Sequence, residues 1–185
     1  TYEDREALEE EPAGPERGKK RKKDRLDKIQ RQIAETFLRE TLTGQQADRL
    51  LSRLEEDGIL FGDQLYLLPG EMPDLKGLKV LRPGLHMGTV KKNRFEPSHA
   101  LALSLLPEEA KRVYRMEADG EETAAYLRGE ALSCRMESWP GNEKGWVLMC
   151  AEDWSLGWSK LSGGCLKNHY PKGLRRMQAS AHPQK

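Results

Sequence analysis

Residues 160–176 read KLSGGCLKNHYPKGLRR. They belong to a stretch, from Trp154 to Lys185, that contains no Asp or Glu and sets Lys160, Lys167, Lys172, Arg175, Arg176 and Lys185 among Trp154, Trp158 and Tyr170. The whole chain has a formal net charge of only +1, so its charge is sorted by region. Basic side chains release counterions from a nucleic acid when they act together. Aromatics and glycines interleaved with them describe an ordered surface on which bases stack, rather than a solvated tail. Gly163–Gly164 divides the stretch as a hairpin turn does. With the runs at 132–136, 146–150, 156–160 and 165–168, each bounded by Gly or Pro, it predicts the short strands of a small barrel.

Upstream of the barrel, residues 108–130 are acidic, and 121–127 predict a helix stopped by Gly129. Before them lies a second basic region, residues 75–106, where Lys76, Lys79, Arg82, Lys91, Lys92 and Arg94 face Glu96 alone. Its apolar residues suggest two short strands around Pro83 and Gly84. A short buried helix follows, capped by Ser98. Leu26, Ile29, Ile33 and Phe37 recur at helical spacing, and Leu50, Leu51 and Leu54 do so again after a break at 41–44. Thr43 with Gln46 reads as a capping box for the second helix, and Gly58 as its stop. Gly62–Asp63 then separates two apolar runs in the manner of a hairpin, so that helices and hairpin together sketch a winged helix. Residues 1–25 are an acidic block followed by a basic one, GKKRKK included, and read as a flexible linker.

At 185 residues the chain holds one ordinary domain or two small ones. No run of 18 apolar residues occurs, which excludes a helical membrane span, and the expected location is the cytoplasm. Cys134, Cys150 and Cys165 are odd in number and far apart, as reduced thiols are. The chain starts at Thr1 rather than Met and reads as a piece of a longer protein.

Catalytic chemistry is hard to find. A cofactor-binding loop sets glycines between a strand and a helix, but no helical pattern follows Gly163–Gly164. The three cysteines lack zinc-ligand spacing, and His86, His99, His169 and His182 are scattered. Cys150, after a run of apolar residues, reads as a small buried hydrophobe, and Cys165 has no evident base beside it.

Two stretches carry a resemblance. Residues 75–105, LKGLKVLRPGLHMGTVKKNRFEPSHALALSL, resemble the intermediate domain of the NOL/NOP/Sun RNA cytosine methyltransferases, in the group of the bacterial 16S rRNA methyltransferase F (RsmF). YLRGEAL at 126–132, KGWVLM at 144–149 and LGWSKLSGGCLKNHYPKGLRR at 156–176 resemble the PUA-like RNA-binding domain of the same group. Together they run through roughly the last 110 residues. The resemblance implies an α+β chain: a linker over 1–25, a helical and small mixed domain over 26–106, and a PUA-like barrel over 107–185.

It also implies a parent enzyme that moves a methyl group from S-adenosylmethionine to carbon 5 of an RNA cytosine. In that family a cysteine after threonine attacks the base, and one after proline assists elimination. Here Cys134 follows Ser133, Cys150 follows Met149 and Cys165 follows Gly164, so no catalytic residue carries over. The expectation is an RNA-recognition portion without its own cofactor, acting on small-subunit rRNA for a catalytic domain that binds S-adenosylmethionine elsewhere in the parent. Lys160, Lys167, Lys172, Arg175 and Arg176 are its candidate phosphate contacts, with Lys91, Lys92 and Arg94 as a second set. Asn168, His169 and Tyr170 either hydrogen-bond and stack on an exposed nucleotide or, for Asn168 and His169, shape the turn before Pro171. Trp146 and Trp158, each after a glycine in an apolar strand pattern, read as core. The alternative is a docking module that packs on the catalytic domain through the apolar content of 75–106 and leaves RNA contact to that domain.

Overall fold

The computed structural model describes residues 26–71, 82–134 and 144–176. The linker read at 1–25, Lys76 and Lys79, the first strand suggested before Pro83, the end of the run at 132–136, His182 and Lys185 lie outside them.

Helix α1, Lys28–Thr41, begins at a capping box that the sequence reading passed over. Asp27 accepts from Gln30 N at 2.8 Å and the Gln30 side chain accepts from Asp27 N at 2.9 Å. Its buried face, Ala34, Phe37, Leu38 and Thr41, has the i, i+3, i+4, i+7 spacing of an amphipathic helix. Helix α2, Gly44–Asp57, ends at Gly58 as expected, but the box read at Thr43 and Gln46 does not form. Gln46 is turned into the core, and the Thr43 amide donates instead to Glu109 O at 2.9 Å.

Strands β1, Gly58–Phe61, and β2, Gln64–Leu67, turn at Gly62, where φ is 65°. They are not the free wing of a winged helix. The second edge of β2 pairs with β3, Leu85–Val90, which pairs with β4, Phe95–Pro97, in one antiparallel sheet of order β1-β2-β3-β4. Helix α3, His99–Leu103, follows with Ser98 as its cap, accepting from Leu101 N at 3.0 Å.

The second sheet is a curled half-barrel of order β5-β7-β8-β9-β6. Its strands are β5, Val113–Met116; β6, Leu132–Ser133; β7, Gly145–Ala151; β8, Trp154–Ser162; and β9, Cys165–Asn168. Helix α4, Glu121–Arg128, ends at Gly129, whose φ of 90° suits a left-handed cap. Strand β5 was not read from the sequence; it pairs in parallel with β7, while the other pairings are antiparallel. The α+β class, helices and a mixed unit followed by a PUA-like β-unit, is as the sequence implied.

Strand β7 is buried on both faces, which explains its unbroken apolar run. Val147 and Met149 point into the half-barrel, against Tyr114, Met116, Tyr126, Leu161 and Leu166. Leu148 and Cys150 point the other way and join Trp158 in the core of the first unit, with Phe37, Leu38, Leu65, Met87 and Leu101. Trp158 is 2% exposed and its indole N–H donates to Ser98 O at 2.9 Å. A tryptophan buries roughly 150–250 Å², so this side chain alone contributes at most about 4–6 kcal/mol to holding the units together.

Candidate nucleic-acid interface

Local geometry begins at the Gly163–Gly164 turn. Both glycines have positive φ, 59° and 72°, as a two-residue type I′ hairpin requires. That turn pairs Ser162 with Cys165 and, one step along the same face, Lys160 with Lys167. Across the next ladder Lys160 faces Trp146. The row Trp146–Lys160–Lys167 therefore crosses three strands on the outer face of the half-barrel, the face whose other residues, Leu148 and Trp158, are sealed by the first unit. Like charges directly opposite each other destabilise a sheet. Neither Lys160 nor Lys167 has a carboxylate partner among the described residues. An uncompensated pair of this kind is suited to an anion supplied from outside.

Where the first unit stops covering that face, a cleft of about 390 Å³ opens between α1, the β3–β4 turn and the row. Helix α1 contributes Gln32, Thr36, Phe37 and Glu40; the turn contributes Asn93 and Arg94; the half-barrel contributes Trp146 and Lys160. Aromatic contacts run from the core to its wall: Phe95 to Phe37 at 4.7 Å, Phe37 to Trp158 at 6.2 Å, Trp158 to Trp146 at 6.4 Å, and Trp146 to His169 at 4.6 Å between ring centroids. Lys160 Nζ stands 5.5 Å above the Trp146 ring. The His169 imidazole is held below its ordinary pKa, first by partial burial and then by the Lys160 charge, which keeps it neutral at pH 7.

The eleven candidate residues fall into groups. Lys160, Lys167 and His169 meet at the row, and Arg94 reaches the cleft from the first unit while pairing with Glu96 at 2.8 Å. Lys91, on the same turn, is tied to Asp63 at 3.0 Å, whereas Lys92 is exposed and unpaired among the described residues. Hydrogen bonds from Gln64, and next from Lys91, lower the Asp63 carboxyl pKa.

Asn168 is engaged in the fold: its amide donates to Tyr126 O at 2.8 Å and Glu130 O at 2.9 Å and its oxygen accepts from Tyr170 N at 2.7 Å. It clasps β9 to the end of α4 and shapes the turn before Pro171. The Tyr170 ring is half-buried against Tyr126 and His99, at 5.4 and 5.3 Å. Arg175 donates to Tyr170 O at 3.3 and 3.4 Å and lies against Gly129, so it straps the tail to α4. Lys172 and Arg176 are exposed nearby, apart from the cleft.

Trp158 is core, as its sequence pattern suggested. Trp146 is not fully buried, and the sequence reading missed it as a wall of the cleft. The one signal was its register opposite Lys160, which needs the hairpin geometry to be seen. The Cys150 thiol is buried and its pKa pushed up by that burial, as suits an inert side chain. Among the described residues no three His, Cys, Asp or Glu side chains gather as metal ligands, and no helix is long and apolar enough to cross a membrane.

Residues 36–105 match a family model described as the RsmF rRNA methyltransferase first C-terminal domain, and residues 113–176 one described as the methyltransferase RsmF PUA domain. The chain belongs to the RsmF rRNA methyltransferase family. In this RsmF-type chain the cleft is a joint product of the two matched spans. Thr36, Phe37, Glu40 and Arg94 come from the first, and Trp146 and Lys160 from the second.

Proposed function

We propose that this chain is the RNA-binding, targeting portion of an S-adenosylmethionine-dependent rRNA cytosine-5 methyltransferase, and that its partners are small-subunit rRNA and a catalytic domain of the parent protein. The observation that carries this reading is the unpaired Lys160–Lys167 couple beside the cleft, joined there by Arg94 of the first unit. Both basic regions of the sequence contribute cations to one side of the molecule. The lysines supply affinity and register through phosphates, and choice of site comes from whatever enters the cleft. The methyl donor and the two catalytic cysteines belong to the catalytic domain.

The test is a salt titration of binding to a small-subunit rRNA fragment. Changing Lys160→Gln and Lys167→Gln together is expected to reduce the magnitude of the log–log salt slope by about 1.4–1.8, the share of two phosphate contacts. An unchanged slope and affinity in the folded variant would refute the reading.

A second reading has its own observation. Trp154 is 79% exposed, and Leu103 and Leu106 are each 56% exposed. Ser155, next to Trp154, donates to Leu105 O, next to Leu106, at 2.7 Å. Such an apolar group supports a docking module that packs on the catalytic domain without touching RNA. Absent or indiscriminate RNA binding by the wild-type chain would favour it.

A further inference from the structure

The cleft has two unlike walls, and the difference specifies a ligand. On the half-barrel side stand Lys160 and the Trp146 ring, with Lys167 behind; on the α1 side stand Gln32, Thr36 and Glu40. The side-chain amides of Gln32 and of Asn93, on the adjoining turn, have no partner among the described residues, so each offers two donors and an acceptor. Glu40 repels phosphate from its own wall and accepts hydrogen bonds from exocyclic amines or ring N–H groups.

We infer that the cleft receives a single unstacked RNA nucleotide, with its base against Trp146 and its edge toward Gln32, Glu40 and Asn93, and with its phosphate between Lys160 and Lys167. This rests on the RNA-binding reading above and narrows it to a nucleotide in a loop, bulge or single strand. The volume, about 390 Å³, falls at the lower end of the roughly 300–1,000 Å³ of small-ligand sites, enough for one nucleotide and far too narrow for a duplex. Bases in an A-form helix are stacked and their edges hidden in a groove that side chains do not reach, whereas splayed-out bases stack on aromatic rings.

In the free protein the Lys160 ammonium stands over the ring, 5.5 Å from its centroid. A lysine ammonium on a flexible stem is readily displaced, and a phosphate beside Lys167 gives it a better partner. Binding thus uncovers the ring and relieves the lysine–lysine opposition in one movement. His169, neutral and T-shaped to Trp146 at 4.6 Å, packs on the indole without adding charge.

The test titrates the full chain with a fluorescein-labelled single-stranded oligoribonucleotide and with the same strand annealed to its complement. Trp146→Leu is expected to weaken the single strand about 5- to 150-fold, the effect of losing one base–aromatic stack. The duplex affinity and the salt slope should hardly move. Trp146→Phe, which restores a ring, is expected to recover most of the loss, and guards against a merely structural effect. Lys160→Gln with Lys167→Gln should weaken both RNAs and lower both slopes. The nucleotide site is overturned, with RNA binding left standing, if Trp146→Leu keeps the single-strand affinity or weakens both RNAs equally while the lysine variant still flattens the slopes. Failure of the wild type to bind either RNA would overturn both readings together.

Discussion

Gly157 lies on β8 where α3 of the first unit meets the half-barrel, and the space around it yields a sharp expectation. A Cβ there would stand 2.5 Å from the Tyr126 hydroxyl, 3.3 Å from His99 Nδ1 and 3.5 Å from the Tyr170 ring. Tyr126 is fully buried and its hydroxyl donates to Trp158 O at 3.0 Å, so it cannot swing aside freely. Gly157→Ala is therefore expected to cost about 1–3 kcal/mol in overpacking, and a further ~1–3 kcal/mol if the hydroxyl is driven off its acceptor while remaining buried.

Tyr126→Phe alone should cost only about 1 kcal/mol, because Trp158 O still accepts from His169 N at 3.1 Å and is not orphaned. The two changes should not add. The phenylalanine lacks the oxygen that the new methyl group strikes, so the double variant is expected to be at least about 1 kcal/mol more stable than the sum of the single losses. Urea denaturation of the four proteins, at constant m-value, measures the cycle. In melting temperature the rescue corresponds to about 2–4 °C. Additive losses, or a double variant less stable than the sum, would refute the view that the hydroxyl at Gly157 sets the approach of α3 to the barrel.

Two further outcomes follow from the same packing. Burial holds the His86 and His99 pKa values below the ordinary 6.5, and His86 Nε2 and His99 Nδ1 are buried without hydrogen-bond partners. The unfolded chain therefore binds more protons near pH 6, and stability should be level above about pH 7 and fall as the pH drops through 6.5. Thermal melts from pH 7.5 to 5.0 check this, and a stability that rises on acidification would contradict it. Asn168→Ala removes the clasp between β9 and the end of α4 and should cost roughly 2 kcal/mol, read as a lower urea midpoint. RNA affinity of the folded fraction should be unchanged.

The parts of this fold that were legible are those written locally. Ser98 before an apolar run, Gly129 after one and the Gly163–Gly164 pair each specify a dihedral or a hydrogen bond within a few residues, and each is where the sequence placed it. Strand β5 escaped because it lies in an acidic stretch and its partner, β7, is some thirty residues later and parallel, a pairing no local pattern announces. Thr43 misled because a threonine with a glutamine three residues on satisfies the capping pattern whether or not the core claims the glutamine. The cleft was half legible: its lysines stood out as charge, but Trp146 shared its pattern with Trp158. Only the place where α1 ends its cover of the β7–β8 face separates a core tryptophan from a wall.

That cover has a bearing on how such enzymes are assembled over evolutionary time. The half-barrel presents Leu148, Cys150 and Trp158 to its neighbour, and Ser98 of the neighbour takes the hydrogen of the Trp158 indole. A gene fusion that carried the barrel alone into a new host would arrive with an adhesive strip on its back and half a cleft on its rim. The two matched spans thus behave as one packing unit, and the pocket they line together would be lost if either were inherited alone.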